Sequence, residues 1–140
     1  MSFNHEYDEL ILRVLRDELR LINKHLPYRR ANLCDLIKMN PPYIVLRDGT
    51  THLIDKRELE LLAKTLGEKA CKLQIPIIIE SSPSLGEGVY RIRDPVAALA
   101  VAKILGLEYD GKGELIFYRP QLYELRTRLR TTTTIIFTPT

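Results

Sequence analysis

The chain of 140 residues has no tryptophan, three phenylalanines, two cysteines, two methionines and three histidines. Each scarcity closes a door. Two cysteines do not make the disulfide framework of a small secreted domain. Cys34 and Cys71 read first as two buried thiols in a reducing cytoplasm; a disulfide enters only for a hyperthermophile, where intracellular disulfides occur. His5, His25 and His52 form no His-x-x-x-His pair and the cysteines no Cys-x-x-Cys, so no metal centre is written into the sequence. Neither cysteine sits beside a histidine in a nucleophile motif, so no covalent catalysis is indicated and no cofactor is expected. No apolar run approaches the roughly 18 residues that span a bilayer. The first residues, MSFNHEYDEL, are acidic and lack the basic-then-apolar order of a signal peptide. A cytoplasmic protein without a membrane partner is expected.

Charge of one sign is also missing. Lys and Arg number 21 against 18 Asp and Glu, a net +3. That is well short of a dedicated nucleic-acid arm. With 45% hydrophobic and 28% charged residues, the composition is that of a soluble globular protein. The length corresponds to one ordinary domain.

What is present is a clear series of elements. Residues 5–24 read as a long amphipathic helix, with Leu10, Ile11, Val14, Leu15, Leu19 and Ile22 on one stripe and Pro27 as its stop. Asn32 caps a short helix over 33–38. Tyr43–Arg47 and Thr50–Ile54 flank Asp48-Gly49, a two-residue hairpin turn. Asp55 and Glu58 have capping-box spacing before a helix carrying Leu59, Leu62 and Leu66, closed by Gly67. Residues 75–80 form a β-branched buried strand, with Pro76 near its start or at an edge. After the loop Ser81–Gly88, a second strand at Val89–Arg93 runs antiparallel to it. That loop lacks the Gly-Lys-Ser/Thr ending of a phosphate loop. Asp94-Pro95 opens a buried helix over 95–105. A strand at 114–118 and a basic amphipathic helix at 120–130 follow, then a Thr-rich, β-prone tail. The tail would complete its own sheet, add to a neighbour's, or stay unordered. The expected architecture is α+β: a single domain over 1–130 with a small mixed or antiparallel sheet packed with helices, and a separate tail over 131–140.

The hairpin offers a candidate site. A two-residue turn pairs Arg47 with Thr50 and Val45 with His52. Alternation then puts Tyr43, Val45, Arg47, Thr50, His52 and Ile54 on one face, leaving Ile44, Leu46, Thr51 and Leu53 as the core face. His25, Arg29 and Arg30 join the polar face if the segment over 27–32 folds across it. Arginine forks and a histidine suit a phosphate or carboxylate. The competing reading pairs Arg29 and Arg30 with Asp35, Asp48 or Glu58 and leaves His52 as packing. The second basic feature, Arg119, Arg126, Arg128 and Arg130, makes only a partial stripe, since residue 128 points away from 126 and 130 on a helix.

The set His25-Leu26-Pro27 with Arg29-Arg30, Leu46-Arg47-Asp48-Gly49, His52, Glu58-Leu59 and Val89-Tyr90-Arg91-Ile92-Arg93 resembles the archaeal uncharacterised protein family 0216, the domain of unknown function 61. The resemblance covers the chain from the first helix to the basic helix. It implies a small archaeal α/β protein with no assigned activity. The strand–strand–helix run over 75–106 also looks like a unit of the ParB/sulfiredoxin nucleotide-binding group. The Gly-x-x-Arg element that opens the helix there is replaced by Asp94-Pro95-Val96-Ala97.

Three functions compete. The first is a homo-oligomeric module binding RNA or a nucleotide-like anion through His25, Arg29, Arg30, Arg47, Thr50 and His52. The second is an enzyme on a small phosphorylated or carboxylated substrate, with His25 or His52 as acid–base and the arginines as anchors. The third is an assembly protein without a ligand.

Overall fold

The computed structural model describes residues 30–81, 84–129 and 135–139. The helix expected over 5–24, with His5, His25 and Arg29, lies outside the described residues, as do 130–134 of the basic helix and tail.

The chain enters as a two-residue strand, β1 (Ala31–Asn32), and turns into α1 (Leu33–Lys38). Asn32 caps α1: its Oδ1 accepts from Cys34 N at 2.8 Å, and Leu33 and Leu36 point into the core. A hairpin follows, β2 (Tyr43–Val45) and β3 (Thr51–Leu53). Next comes α2 (Lys56–Leu66), capped by Asp55 and stopped at Gly67, with Leu59, Leu62 and Leu66 buried at the expected helical spacing. A 3₁₀ turn over Gly67–Lys72 leads to β4 (Gln74–Ile75).

The single strand expected over 75–80 is two strands. β4 pairs antiparallel with β1, whereas β5 (Ile77–Ser81) joins another sheet. The break falls at Pro76, which has no N–H to continue a ladder. β6 (Val89–Ile92) pairs antiparallel with β5, as expected, and Asp94 caps α3 (Pro95–Leu105). Ala97, Ala98, Ala100, Val101, Ala102 and Ile104 of α3 are all buried, so this helix is core on most of its circumference. β7 (Leu115–Tyr118) and α4 (Arg119–Leu129) follow, with Leu122, Leu125 and Leu129 inward.

The last strand, β8 (Ile135–Pro139), pairs parallel with β5 from Ile77↔Ile135 to Ser81↔Pro139. Of the three fates open to the tail, it completes the chain's own sheet. The sheet is therefore mixed, in the order β7-β6-β5-β8. Its inner face presents Ile77, Ile79, Tyr90, Ile92, Leu115, Phe117 and Ile135, all buried. Together with α1 to α4 they form one hydrophobic cluster, and the fold is α+β.

Two expectations are corrected. Cys34 and Cys71 are not buried thiols: they form a disulfide joining α1 to the 3₁₀ turn, and Cys71 is exposed. Asn32 braces the same junction, its Nδ2 donating to the Cys71 carbonyl. The hairpin register is also shifted by one residue. Tyr43 faces Leu53, Ile44 faces His52 and Val45 faces Thr51. Leu46 N donates to Thr50 O at 2.8 Å and Gly49 N to Leu46 O at 2.9 Å. The loop is thus three residues long, Arg47-Asp48-Gly49, a turn closed by a glycine at φ +88°. The one-residue slip moves Thr51 and Leu53 to the side of Tyr43 and Val45, and His52 to that of Ile44. Ile44 is the core residue, while Tyr43, Val45 and Leu53 are exposed, Leu53 at 61%.

Candidate functional site

Two clefts meet at Arg30. The first, of about 520 Å³, runs from β1 and β4 across the start of β5 to the beginning of α3. Arg30, Gln74, Pro76, Ile78, Glu80, Arg93, Asp94 and Ala97 line it. The second, of about 610 Å³, lies between α1 and β2 and is lined more by apolar groups, among them Leu36, Met39, Tyr43 and Ile44.

The first cleft has the chemistry of a binding site. The sequence folds this way because β5 and β6 are antiparallel, with Glu80 opposite Arg91. That register brings the end of β6, and the Arg93-Asp94 step that begins α3, beside the start of β5. Glu80 is the hub. Its Oε2 accepts from Arg91 Nε at 2.8 Å and lies 2.7 Å from Arg93 Nε. Arg91 also reaches Glu114 at 3.9 Å. Asp94 spends one oxygen on its cap, accepting from Val96 N at 3.2 Å. Arg30 comes from the opposite wall and has no carboxylate partner among the described residues; it is exposed. A guanidinium without an acid, at the mouth of a cavity of ligand size, is a ready donor fork for an anion.

Of the residues expected to bind, Arg30 lines both clefts, and His25 and Arg29 fall outside the described residues. Arg47, Thr50 and His52 stand exposed on the hairpin, and none of them lines either cleft. The expected row of Arg47, Thr50 and His52 on one face with Val45 does not form, because the register puts His52 opposite Ile44. Thr50 is held within its own turn: its Oγ1 donates to Asp48 Oδ1 at 2.6 Å and its N–H to the same oxygen at 3.0 Å. The expected partnership of Arg30 with Asp35, Asp48 or Glu58 is absent among the described ion pairs.

Gln74, Glu80, Arg93 and Asp94 line this cleft and are not among the residues the sequence pointed to. The signal available was the antiparallel pairing of 75–80 with 89–93, which carries Glu80 to Arg91 and Arg93. The expected basic stripe on α4 is engaged within the chain at Arg128, though that side chain stays exposed, and Arg130 lies outside the described residues. Arg128 pairs with Glu124 at 2.8 Å and donates to the Ile104 carbonyl at 2.9 Å. Arg119 has a side chain only 18% exposed and lies 3.8 Å from Glu87. Its guanidinium packs on Gly88, where a Cβ would stand 3.2 Å from Nη2. Among the described residues no group of three or more His, Cys, Asp or Glu is gathered to hold a metal ion. None of the described helices is long and apolar enough to cross a membrane.

With that geometry in place, comparison with known proteins places the chain. Residues 12–137 match the family model described as protein of unknown function DUF61. The chain belongs to this family. Its relatives are archaeal proteins of family UPF0216. The Pyrococcus furiosus protein is 36% identical over 132 residues, spanning 92% of this chain and 96% of its own length. The Archaeoglobus fulgidus protein is 32% identical over 126 residues, 89% of this chain and 94% of the relative. The Methanothermobacter thermautotrophicus protein is 35% identical over 127 residues, 89% and 91%. A solution structure of an archaeal DUF61 family protein, SSO0941, superposes with a TM-score of 0.62 at 21% identity, covering 80% of this chain and 72% of that one. That likeness concerns the fold alone.

Proposed function

We propose that this family member is an anion-binding module that takes a small phosphate- or carboxylate-bearing ligand, of nucleotide-like size, in the cleft between β4 and the start of α3. The observation that carries the reading is Arg30, a guanidinium without a carboxylate partner among the described residues, lining a cavity of about 520 Å³. Arg93 supplies a second guanidinium, already steadied by Glu80. His25 and Arg29 stay candidates through their adjacency to Arg30 in sequence, and Arg47, Thr50 and His52 as an outer contact on the hairpin. An RNA strand fits this site less well than a single anion, because Glu80 and Asp94 line the same cleft and would meet successive phosphates. The enzyme reading, with His52 as acid–base, gains no support from an exposed residue outside both clefts.

The test is calorimetric titration of the protein with inorganic phosphate. A charge-assisted hydrogen bond contributes roughly 1.5–3 kcal/mol, so Arg30→Ala should weaken binding by about tenfold or more. Equal affinity in the variant would refute the assignment of Arg30.

A second reading, self-association, is favoured by one observation. Tyr43, Val45 and Leu53 form an exposed apolar face on the hairpin, 40%, 42% and 61% accessible. We propose that this face meets its copy across a two-fold axis. Leu53→Glu is then expected to halve the mass measured by light scattering; a mass already monomeric in the parent protein would rule it out.

A further inference from the structure

The cleft's own charges say what else the ligand must carry. Arg30, Arg93, Glu80 and Asp94 line the cleft, and Glu80 is paired through one oxygen with Arg93 and with Arg91. Both arginines that touch Glu80 contact the same oxygen, Oε2, at 2.8 Å and 2.7 Å. Its Oε1 has no hydrogen-bond partner among the described residues, and the side chain is 17% exposed. Asp94 commits Oδ1 to the Val96 N–H and lines the same cleft. An ionised carboxylate accepts hydrogen bonds and donates none. Two such acceptors in a half-enclosed space oppose a purely anionic guest and attract a cationic donor.

We propose that the ligand is a zwitterion: its phosphate or carboxylate lies on Arg30, and a protonated amine on the same molecule lies between Glu80 and Asp94. This rests on the anion-site reading above and adds the second half of the ligand. Gln74, an amide with both donors and an acceptor, stands on the same wall and suits the polar middle of such a molecule. The opposed charges also account for selectivity. A simple anion gains Arg30 but meets two carboxylates, and a simple amine gains the carboxylates but meets two guanidiniums. A molecule bearing both signs meets Arg30 with its anion and offers a donor to the carboxylates of Glu80 and Asp94.

The experiment titrates the full chain with two matched pairs, inorganic phosphate against O-phosphoethanolamine and acetate against 4-aminobutyrate. Affinities come from calorimetry, and backbone amide shifts locate the site. In at least one pair the zwitterion is expected to bind about tenfold tighter than its parent anion, the scale of one charge-assisted hydrogen bond. Asp94→Asn keeps a capping side chain and removes the charge. It should reduce that preference severalfold. Glu80→Gln is the second variant and is expected to act in the same direction. Melting curves check that both remain folded. If anion and zwitterion bind alike in both pairs, the zwitterion proposal fails and the anion site stands. If no probe moves the cleft amides, both fail.

Discussion

At the scale of single residues, the best-read positions are those whose job is local. Asn32, Asp55 and Asp94 each cap a helix, and each was marked by a short polar side chain just before an apolar period. Arg30 was legible as a candidate but its surroundings were not. Gln74, Glu80 and Arg93 reach the same cleft only through strand pairing, which no local motif records. Tyr90 is a residue whose chemistry depends wholly on the fold. Burial raises its phenol above the ordinary value of 10.0, while the charge and hydrogen bond of Arg119 pull it back down in part. A raised pKa means the folded state holds its proton more tightly than the unfolded chain does. The stabilisation is therefore complete below about pH 10 and is lost as pH climbs through the folded value. Denaturant midpoints taken between neutral pH and pH 11 should fall in the parent protein and fall less in Tyr90→Phe. Parallel curves for the two proteins would exclude Tyr90 from the alkaline transition.

At the scale of elements, the hairpin shows where sequence reasoning stops. Asp48-Gly49 marks a turn, but the same dipeptide serves a two-residue loop and a three-residue loop with glycine last. The difference is one residue of register, and it decides that Leu53 is exposed and which side His52 takes. Hydrophobicity did not arbitrate, because both candidate faces carry apolar residues. Pro76 is the parallel case: its effect was foreseen as a position near a strand start, and it divides one apolar run between two sheets. The disulfide, open in the sequence only as the alternative to two buried thiols, lacked a deciding signal for another reason. Nothing in a separation of 37 residues says that α1 and the 3₁₀ turn meet. Closing a loop of that length restricts the unfolded chain by about 4 kcal/mol in the loop-entropy account. Reduction, or the paired change of Cys34 and Cys71 to serine, is expected to lower unfolding free energy by up to that amount in urea melts. Two free thiols counted in the unreduced, unfolded protein would contradict the bond.

At the scale of the whole molecule, the α+β class and the run of elements from α1 to α4 followed from periodicity and caps. A mixed sheet was one of the two expected forms, but its strand order was not legible. The parallel pairing of β8 with β5 joins residues almost sixty positions apart, from Ile77↔Ile135 onward, and a β-prone tail has no local feature that names its partner. The pairing matters for the site. β5 is flanked by β8 on one side and β6 on the other, so the strand that carries Ile78 and Glu80 into the cleft is interior to the sheet. The candidate cleft is thus built on an interior strand of the sheet, with Arg30 also in its lining. This arrangement is tested most directly by nitrogen-15 amide spectra of the full chain recorded while inorganic phosphate is added. The expected result is saturable shifts concentrated at Arg30, Gln74, Glu80, Arg93 and Ala97, lost in Arg30→Ala. Shifts confined to α4, or no saturable shifts at all, would contradict the cleft as the binding site.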